Sequence, residues 1–315
     1  MRVRLGAVGV VALGAGAVAL ACGAERAEAR GRRAPPKLAI RSAGEGAAAG
    51  SGAVDEARDG APVLGSKSVL VVHGESGRVL LARGAAEQRS IASLTKLMAA
   101  LVVRDRGLKL DEGTTISRDD WKVALNGCRT RLELNWTYRN RDLLRAALMS
   151  SDNRAVSALG RAVGLDAAGL VRAMNERARR MGLKQTRFVC PVGIEPGNVS
   201  TAFELSRIVR EASQDPVLRQ VMGTARVQLK PMRGYLKPWY ANTNPLVGDP
   251  TVGATFTATK TGFNHQAGYC LATVARLPGL GTVTVVLLGA RRKGERIIDL
   301  RKLLRWVRSR PRVAS

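Results

Sequence analysis

Aromatic residues make up only 4% of this 315-residue chain, and it has 25 acidic residues against 51 lysines and arginines, two histidines and four cysteines. Each shortage excludes something. His73 and His265 stand alone, with no H-x-x-x-H or C-x-x-C spacing anywhere, so no metal ligand set is expected and no cofactor is called for. Cys22, Cys128, Cys190 and Cys270 fall to three if an N-terminal leader is removed, and an odd number argues against a disulfide framework. One bond, Cys128–Cys190, stays open beside the alternative of single buried thiols.

A long, strongly apolar run is also missing. Leu5 to Ala24 is uncharged but built largely of alanine and glycine, a poor membrane span. With Arg2 and Arg4 before it and Ala27-Glu28-Ala29 after it, residues 1–29 read as a secretory signal, so the protein is expected to be exported. Two rivals are a lipid-attachment box at Ala19-Leu20-Ala21-Cys22 and retention as an anchor. The glycines at 6, 9, 14 and 16 have no strand–loop–helix context for a nucleotide loop.

The shortage of acids leaves a net charge of +26. Residues 1–29 carry +1 and residues 30–65 carry +2, leaving +23 on the remainder, so the charge belongs to the folded part. Such a surface attracts nucleic acid, anionic lipid or another polyanion, unless it serves only solubility or non-specific adhesion. Export and the lack of a nucleic-acid motif argue against nucleic acid.

Residues 30–65, rich in Ala, Gly, Arg and Pro, read as a flexible linker, with order beginning near Ser66. Ser68 to His73 and Arg78 to Arg83 are β-rich runs joined by Gly74-Glu75-Ser76-Gly77, a hairpin. From Leu108 to Gln220 the spacing is mainly helical, with helices over 141–149, 153–163, 167–181 and 201–212. Gly164 and Gly182 mark two ends, and 188–200 is irregular. Strands return over 255–261, 268–275 and 282–288, and 295–308 reads as an amphipathic helix able to cover a sheet. Strands at both ends with helices between them predict one sheet joined by distant segments, plus a helical subdomain.

The chemistry centres on Ser93-Leu94-Thr95-Lys96. On a helix, i and i+3 share a face, so the Ser93 hydroxyl and Lys96 amine point together, and Leu94, Leu97, Met98, Leu101 and Val102 bury that helix. Placing Ser93 in the first turn puts unsatisfied N–H groups and the positive helix end beside the nucleophile. For Lys96 to act as a base its pKa must drop by about 3 from ~10.4, roughly 4 kcal/mol, which burial and a second cation favour. Taken alone, S-x-x-K is also a helix start with a solvated lysine, Ser151-Asp152-Asn153 is also a helix cap, and Lys260-Thr261-Gly262 is also strand-to-turn punctuation. In this order, on a buried helix, a helix junction and a strand, the three form the signature of penicillin-interacting serine enzymes.

From about Ser66 to Val307 the chain resembles the serine D-alanyl-D-alanine peptidases, the low-molecular-mass penicillin-binding proteins, and among them the D-alanyl-D-alanine endopeptidase branch. The residues around the three motifs (Ile91 to Met98, Ala147 to Ala155, Lys260 to Leu271) carry the likeness, as does Asn242-Thr243-Asn244-Pro245-Leu246. The resemblance implies a mixed α/β (α+β) fold of the β-lactamase/DD-peptidase kind, an antiparallel sheet of N- and C-terminal elements with an inserted helical subdomain. It implies a catalytic domain over 66–310 followed by a basic tail at 311–315.

It further implies that Ser93 is acylated by a D-alanyl peptide, that Lys96 takes its proton and that Ser151 relays a proton to the leaving amine. Asn153, Lys260, Thr261 and Gly262 would bind substrate, and the N–H groups of Ser93 and Phe263 would form the oxyanion hole. The implied partners are peptidoglycan stem peptides and β-lactams as covalent inhibitors, in the periplasm or cell envelope of a bacterium. His265 receives no role, since this chemistry needs no Ser–His–Asp triad. Only 53 residues follow Gly262, an ending expected of the endopeptidase branch rather than of carboxypeptidases with an added β-domain. The rival functions are a D-alanyl-D-alanine carboxypeptidase, a β-lactamase using Glu195 to activate the deacylating water, and a non-catalytic wall-binding protein.

Overall fold

The computed structural model describes residues 60–310 apart from 126, 128 and 129. The expected leader, the linker up to residue 59, the tail, Cys22 and Cys128 lie outside the described residues.

The two early β-rich runs form β1 (Ser68–His73) and β2 (Val79–Arg83). β3 (Arg89–Ser90) and a single 3₁₀ turn over Ala92–Leu94 then lead into α1 (Thr95–Asp105). The insertion holds β4 (Gly113–Thr115), α2 (Arg118–Val123), β5 (Thr137–Arg139), α3 (Asn140–Met149), α4 (Asn153–Ala162) and α5 (Ala167–Arg180). It continues through β6 (Val199–Ser200), α6 (Ala202–Gln214), α7 (Pro216–Met222), β7 (Arg226–Gln228) and β8 (Trp239–Ala241). β9 (Thr255–Asn264), β10 (Gly268–Leu277), β11 (Gly281–Ala290) and α8 (Glu295–Ser309) complete the described chain.

Local chemistry accounts for most of these boundaries. Asp152, Asp166, Thr201 and Asp215 cap α4, α5, α6 and α7, each side chain accepting backbone N–H groups that the first turn leaves without partners. Gly164 and Gly182 stop α4 and α5 at φ 75° and 67°, the left-handed conformation glycine adopts without penalty. The helical spacing from 201 to 220 conceals a break. Asp215 caps a separate helix whose first residue is Pro216, at the one helical position where a missing N–H costs nothing.

The main sheet has five strands in the order β2-β1-β11-β10-β9, antiparallel throughout. The first described strands thus pair with the last, Val71 opposite Val285, and the helical insertion is looped out between them. β1 and β11 are buried on both faces, so their sequences read as continuous apolar runs rather than alternating ones. Alternation survives in what each residue touches. Leu70, Val72, Val286 and Leu288 join the core shared with α1, α3, α4 and α6. Val69, Val71, Val285 and Leu287 join a second core under Leu300, Leu303, Leu304 and Val307 of α8. β9 forms the outer edge of the sheet, and there it meets the turn that carries Ser93.

Candidate active site

Ser93 lies in the 3₁₀ turn just before α1 rather than within its first α-helical turn, a small correction to the spacing argument. The consequence holds. Lys96, the second residue of α1 and buried, donates from Nζ to Ser93 Oγ at 2.8 Å and to the carbonyl of Val192 at 2.6 Å. The second of these partners has no motif to announce it: it comes from the irregular 188–200 segment.

That segment is tightly organised. Asn198, fully buried, accepts from the N–H groups of Val189 and Cys190 through Oδ1 and donates through Nδ2 to Cys190 O and Thr95 Oγ1. It therefore ties the segment to the helix that carries Lys96. Among the described residues Cys190 is a free thiol, and the Cys128–Cys190 pairing lies outside the described residues. The Cys190 sulfur accepts from the N–H groups of Gly193 and Glu195.

Two glycines bring backbone against the nucleophile turn. A Cβ on Gly193, at φ 81°, would stand 2.0 Å from Ala92 O and 2.9 Å from Ser93 N, and one on Gly262 would stand 3.1 Å from Ser93 N. The Lys260-Thr261-Gly262 strand end thus lies directly beside Ser93. Lys260 is buried and donates to the carbonyl of Thr261 at 2.8 Å, and the Thr261 hydroxyl donates to Thr243 at 2.7 Å. Thr243, from the stretch noted above, in turn donates its N–H to Met149 O, linking β9 to the end of α3.

Ser151 and Asn153 sit between α3 and α4, where the cap reading of this motif is also correct. Asp152 Oδ1 accepts the N–H groups of Arg154 and Ala155, while Oδ2 accepts the hydroxyls of Thr130 and Tyr240. Burial, reinforced by the Asp152 charge, raises the Tyr240 pKa far above the usual phenol value, so Tyr240 remains a donor. This cap holds Ser151 and Asn153 on either side. Among the described residues only Ala92, Asn135 and Ser151 are non-glycine residues at positive φ, and Ala92 and Ser151 both belong here. Such backbone conformations cost about 1–3 kcal/mol and gather where a site over-determines them. Among the described residues Ser151 Oγ and Asn153 Oδ1 are buried with no hydrogen-bond partner, an arrangement that native folds seldom keep without a reason.

Ser93, Asn153 and Phe263 line one cavity of about 770 Å³, with Gly193, Ile194, Pro196 and the β9–β10 turn including His265. Among the described residues no carboxylate lines this cavity, and Glu195 is exposed. No group of acidic, histidine or cysteine side chains among the described residues is placed to hold a metal ion. Arg296, buried under the strand, donates to Gly262 O at 2.7 Å and fixes the strand end from behind.

A serine hydroxyl hydrogen-bonded to a buried lysine, beside the edge strand of an antiparallel sheet, defines a serine acyl-transfer centre of the penicillin-interacting kind. Residues 55–291 match the model of a peptidase family described as D-alanyl-D-alanine carboxypeptidase, and the chain belongs to that family. It is 36% identical over 247 residues to a D-alanyl-D-alanine endopeptidase of Pseudomonas aeruginosa, covering 78% of this chain and 77% of the relative. It is 32% identical over 250 residues to the Escherichia coli protein of the same name, covering 78% of each. The fold is similar to that of a crystallised Streptomyces DD-transpeptidase, with a TM-score of 0.73 at 28% identity over 79% of this chain and 99% of that one.

Proposed function

We propose that this protein is an exported serine DD-endopeptidase that hydrolyses D-alanyl cross-links in peptidoglycan and is acylated by penicillin. The observation that carries the reading is the 2.8 Å contact between Lys96 Nζ and Ser93 Oγ, with Gly262 of the edge strand packed on the same turn.

With the Lys96 amine neutral, Ser93 Oγ passes its proton to Nζ as it attacks the carbonyl carbon of the D-alanyl bond. The N–H groups of Ser93 and Phe263 receive the developing oxyanion, where one such donor is typically worth about 10²–10³ in rate. Ser151 relays a proton to the leaving amine and the bond to nitrogen breaks, leaving an ester on Ser93 that water hydrolyses. Asn153 holds the substrate amide. Lys260 and Thr261 receive the carboxylate next to the scissile bond, and Gly262, by letting the Ser93 turn pack against the strand, keeps the nucleophile beside substrate lying along β9 as an added strand.

Cutting between stems is favoured by the two endopeptidase relatives, both more than 30% identical. Trimming of terminal D-alanine is the second reading, favoured by the description of the family and by relatives such as the 27% identical carboxypeptidase of Bacillus subtilis. Among the described residues the cavity lining offers the β-lactamase reading no water-activating carboxylate. Purified muropeptides decide the matter by chromatography. Dimers are expected to fall to monomers, whereas D-alanine released from pentapeptide monomers with dimers intact makes the protein a carboxypeptidase. Fluorescent penicillin should label the native protein and not Ser93→Ala.

A further inference from the structure

The catalytic reading leaves unused a groove of about 850 Å³ between the end of α1, one side of α5 and the segment at 183–188. Arg106, Arg172, Arg179, Lys184 and Arg187 line it, and all five are exposed. Among the described residues none of their side chains makes an ion pair or a hydrogen bond, although neighbours on the same helix do. Arg177 is held by Asp105 and Glu211, and Arg180 by Glu176. Among the described residues Glu176 is the only acid lining the groove, and its partner is Arg180, so it does not offset the five.

The simplest alternative is a solvated face. Cations near helix C-termini complement the helix dipole, which accounts for Arg106 at the end of α1 and Arg179 in the last turn of α5. It does not account for Arg172 in the middle of α5, nor for Lys184 and Arg187 outside any helix. Crowding five like charges around a concavity with low-dielectric walls raises the local potential beyond what scattered charges produce. The walls are also set. Asn175 donates to Val171 O and Phe188 O and accepts from Phe188 N, pinning the 183–188 segment to α5. Thr186 bonds both Ser200 and Glu204. A concavity whose backbone walls are preformed binds a multivalent anion with less ordering cost than a loop that must fold around it.

We infer that this groove is a second binding site for the carboxylate-bearing stem peptides of the wall polymer, separate from the cleft that cuts them. The inference rests on the wall reading above for the identity of the anion, and on the groove for its place. α1 is 11 residues long, about 16 Å at 1.5 Å per residue, with Ser93 just before its start and Arg106 just after its end. One stretch of cross-linked polymer can therefore reach both sites without occupying the cleft twice. Holding the network at a second point raises the effective concentration of cross-links at Ser93 without any new contact in the cleft.

The test compares two triple variants that lower net charge equally. Arg172→Glu/Arg179→Glu/Arg187→Glu alters the groove, and Arg276→Glu/Arg291→Glu/Arg305→Glu alters exposed positions elsewhere. The readout is co-sedimentation with isolated insoluble peptidoglycan from low to high salt. The groove variant is expected to bind at least about tenfold more weakly and with a shallower salt dependence, since each lost ionic contact reduces that slope. The control triple should stay within about twofold of the native protein. Labelling by fluorescent penicillin, which needs only the cleft, should be unchanged in both, showing that they are folded and keeping failure of the catalytic reading separate. Equal losses in the two triples, or none in the groove variant, overturn the proposal. So does a groove variant that keeps wall binding but loses binding to phosphatidylglycerol vesicles, which would assign the groove to a membrane.

Discussion

At the scale of single residues, the cost carried by Ser151 is the plainest sign that this corner is built for chemistry. Its hydroxyl is buried with no partner among the described residues, and its backbone stands at φ 64°. Removing a buried, unsatisfied hydroxyl recovers about 1–3 kcal/mol. Ser151→Ala is therefore expected to raise the melting temperature, by about 2–4 °C per kcal/mol in a domain of this size, while slowing acylation by penicillin. Calorimetry and stopped-flow labelling on the same samples check both halves. A lower melting temperature would mean that the hydroxyl has a structural partner in the resting protein.

Cys270 is the second residue with a measurable consequence. Burial pushes its thiol up to about 11, against the 9.0 expected of a free thiol. The folded state thus favours the protonated form, and that contribution is complete below about pH 9 and lost as pH rises from 9 to 11. At about 1.4 kcal/mol per unit it is on the order of 2–3 kcal/mol. Urea midpoints across this range should fall more steeply in the native protein than in Cys270→Ala. Parallel slopes would show that the thiol is accessible to solvent or ionises freely.

Among the elements, the 188–200 segment performs a task its composition does not advertise. It supplies a carbonyl to Lys96, a wall of the cavity through Gly193, Ile194 and Pro196, and the glycine on which the Ser93 turn rests. Gly193→Ala would drive a methyl into Ala92 O on backbone that must keep φ 81°, so acylation should fall by at least about tenfold even where the protein still folds. Asn198→Ala leaves the N–H groups of Val189 and Cys190 without their acceptor. It should lower stability by about 2–4 kcal/mol together with the acylation rate. If Asn198→Ala lowers stability alone, with acylation per folded molecule unchanged, the segment only packs and does not position Lys96.

For the molecule as a whole, the division of labour between sequence and tertiary structure follows the range of the forces involved. Six of the helices, the β1–β2 hairpin and the three C-terminal strands were legible because caps, glycines and periodicity act within a few residues, whereas the short α2 and α7 were not. Ser93 and Lys96 were legible for the same reason, being one turn apart. The resemblance to the peptidase family joined Ser151, Asn153, Lys260, Thr261 and Gly262 to them, and the fold brings that strand end to the Ser93 turn. What the linear chain could not show is which groups meet across long separations. Lys96 meets Val192 across 96 residues, Tyr240 meets Asp152 across 88, and Gly65 and Ser66 are tied to Asp299 across more than 230. None of these partners carries a local signal, because a backbone carbonyl or a tyrosine looks the same wherever it ends up. Only closing the sheet, with β1 against β11 and β9 left at the edge, determines which of them face one another. The same holds for the five cations of the groove: the sequence determined their number, and the fold alone gathered them around one concavity while giving their neighbours acidic partners.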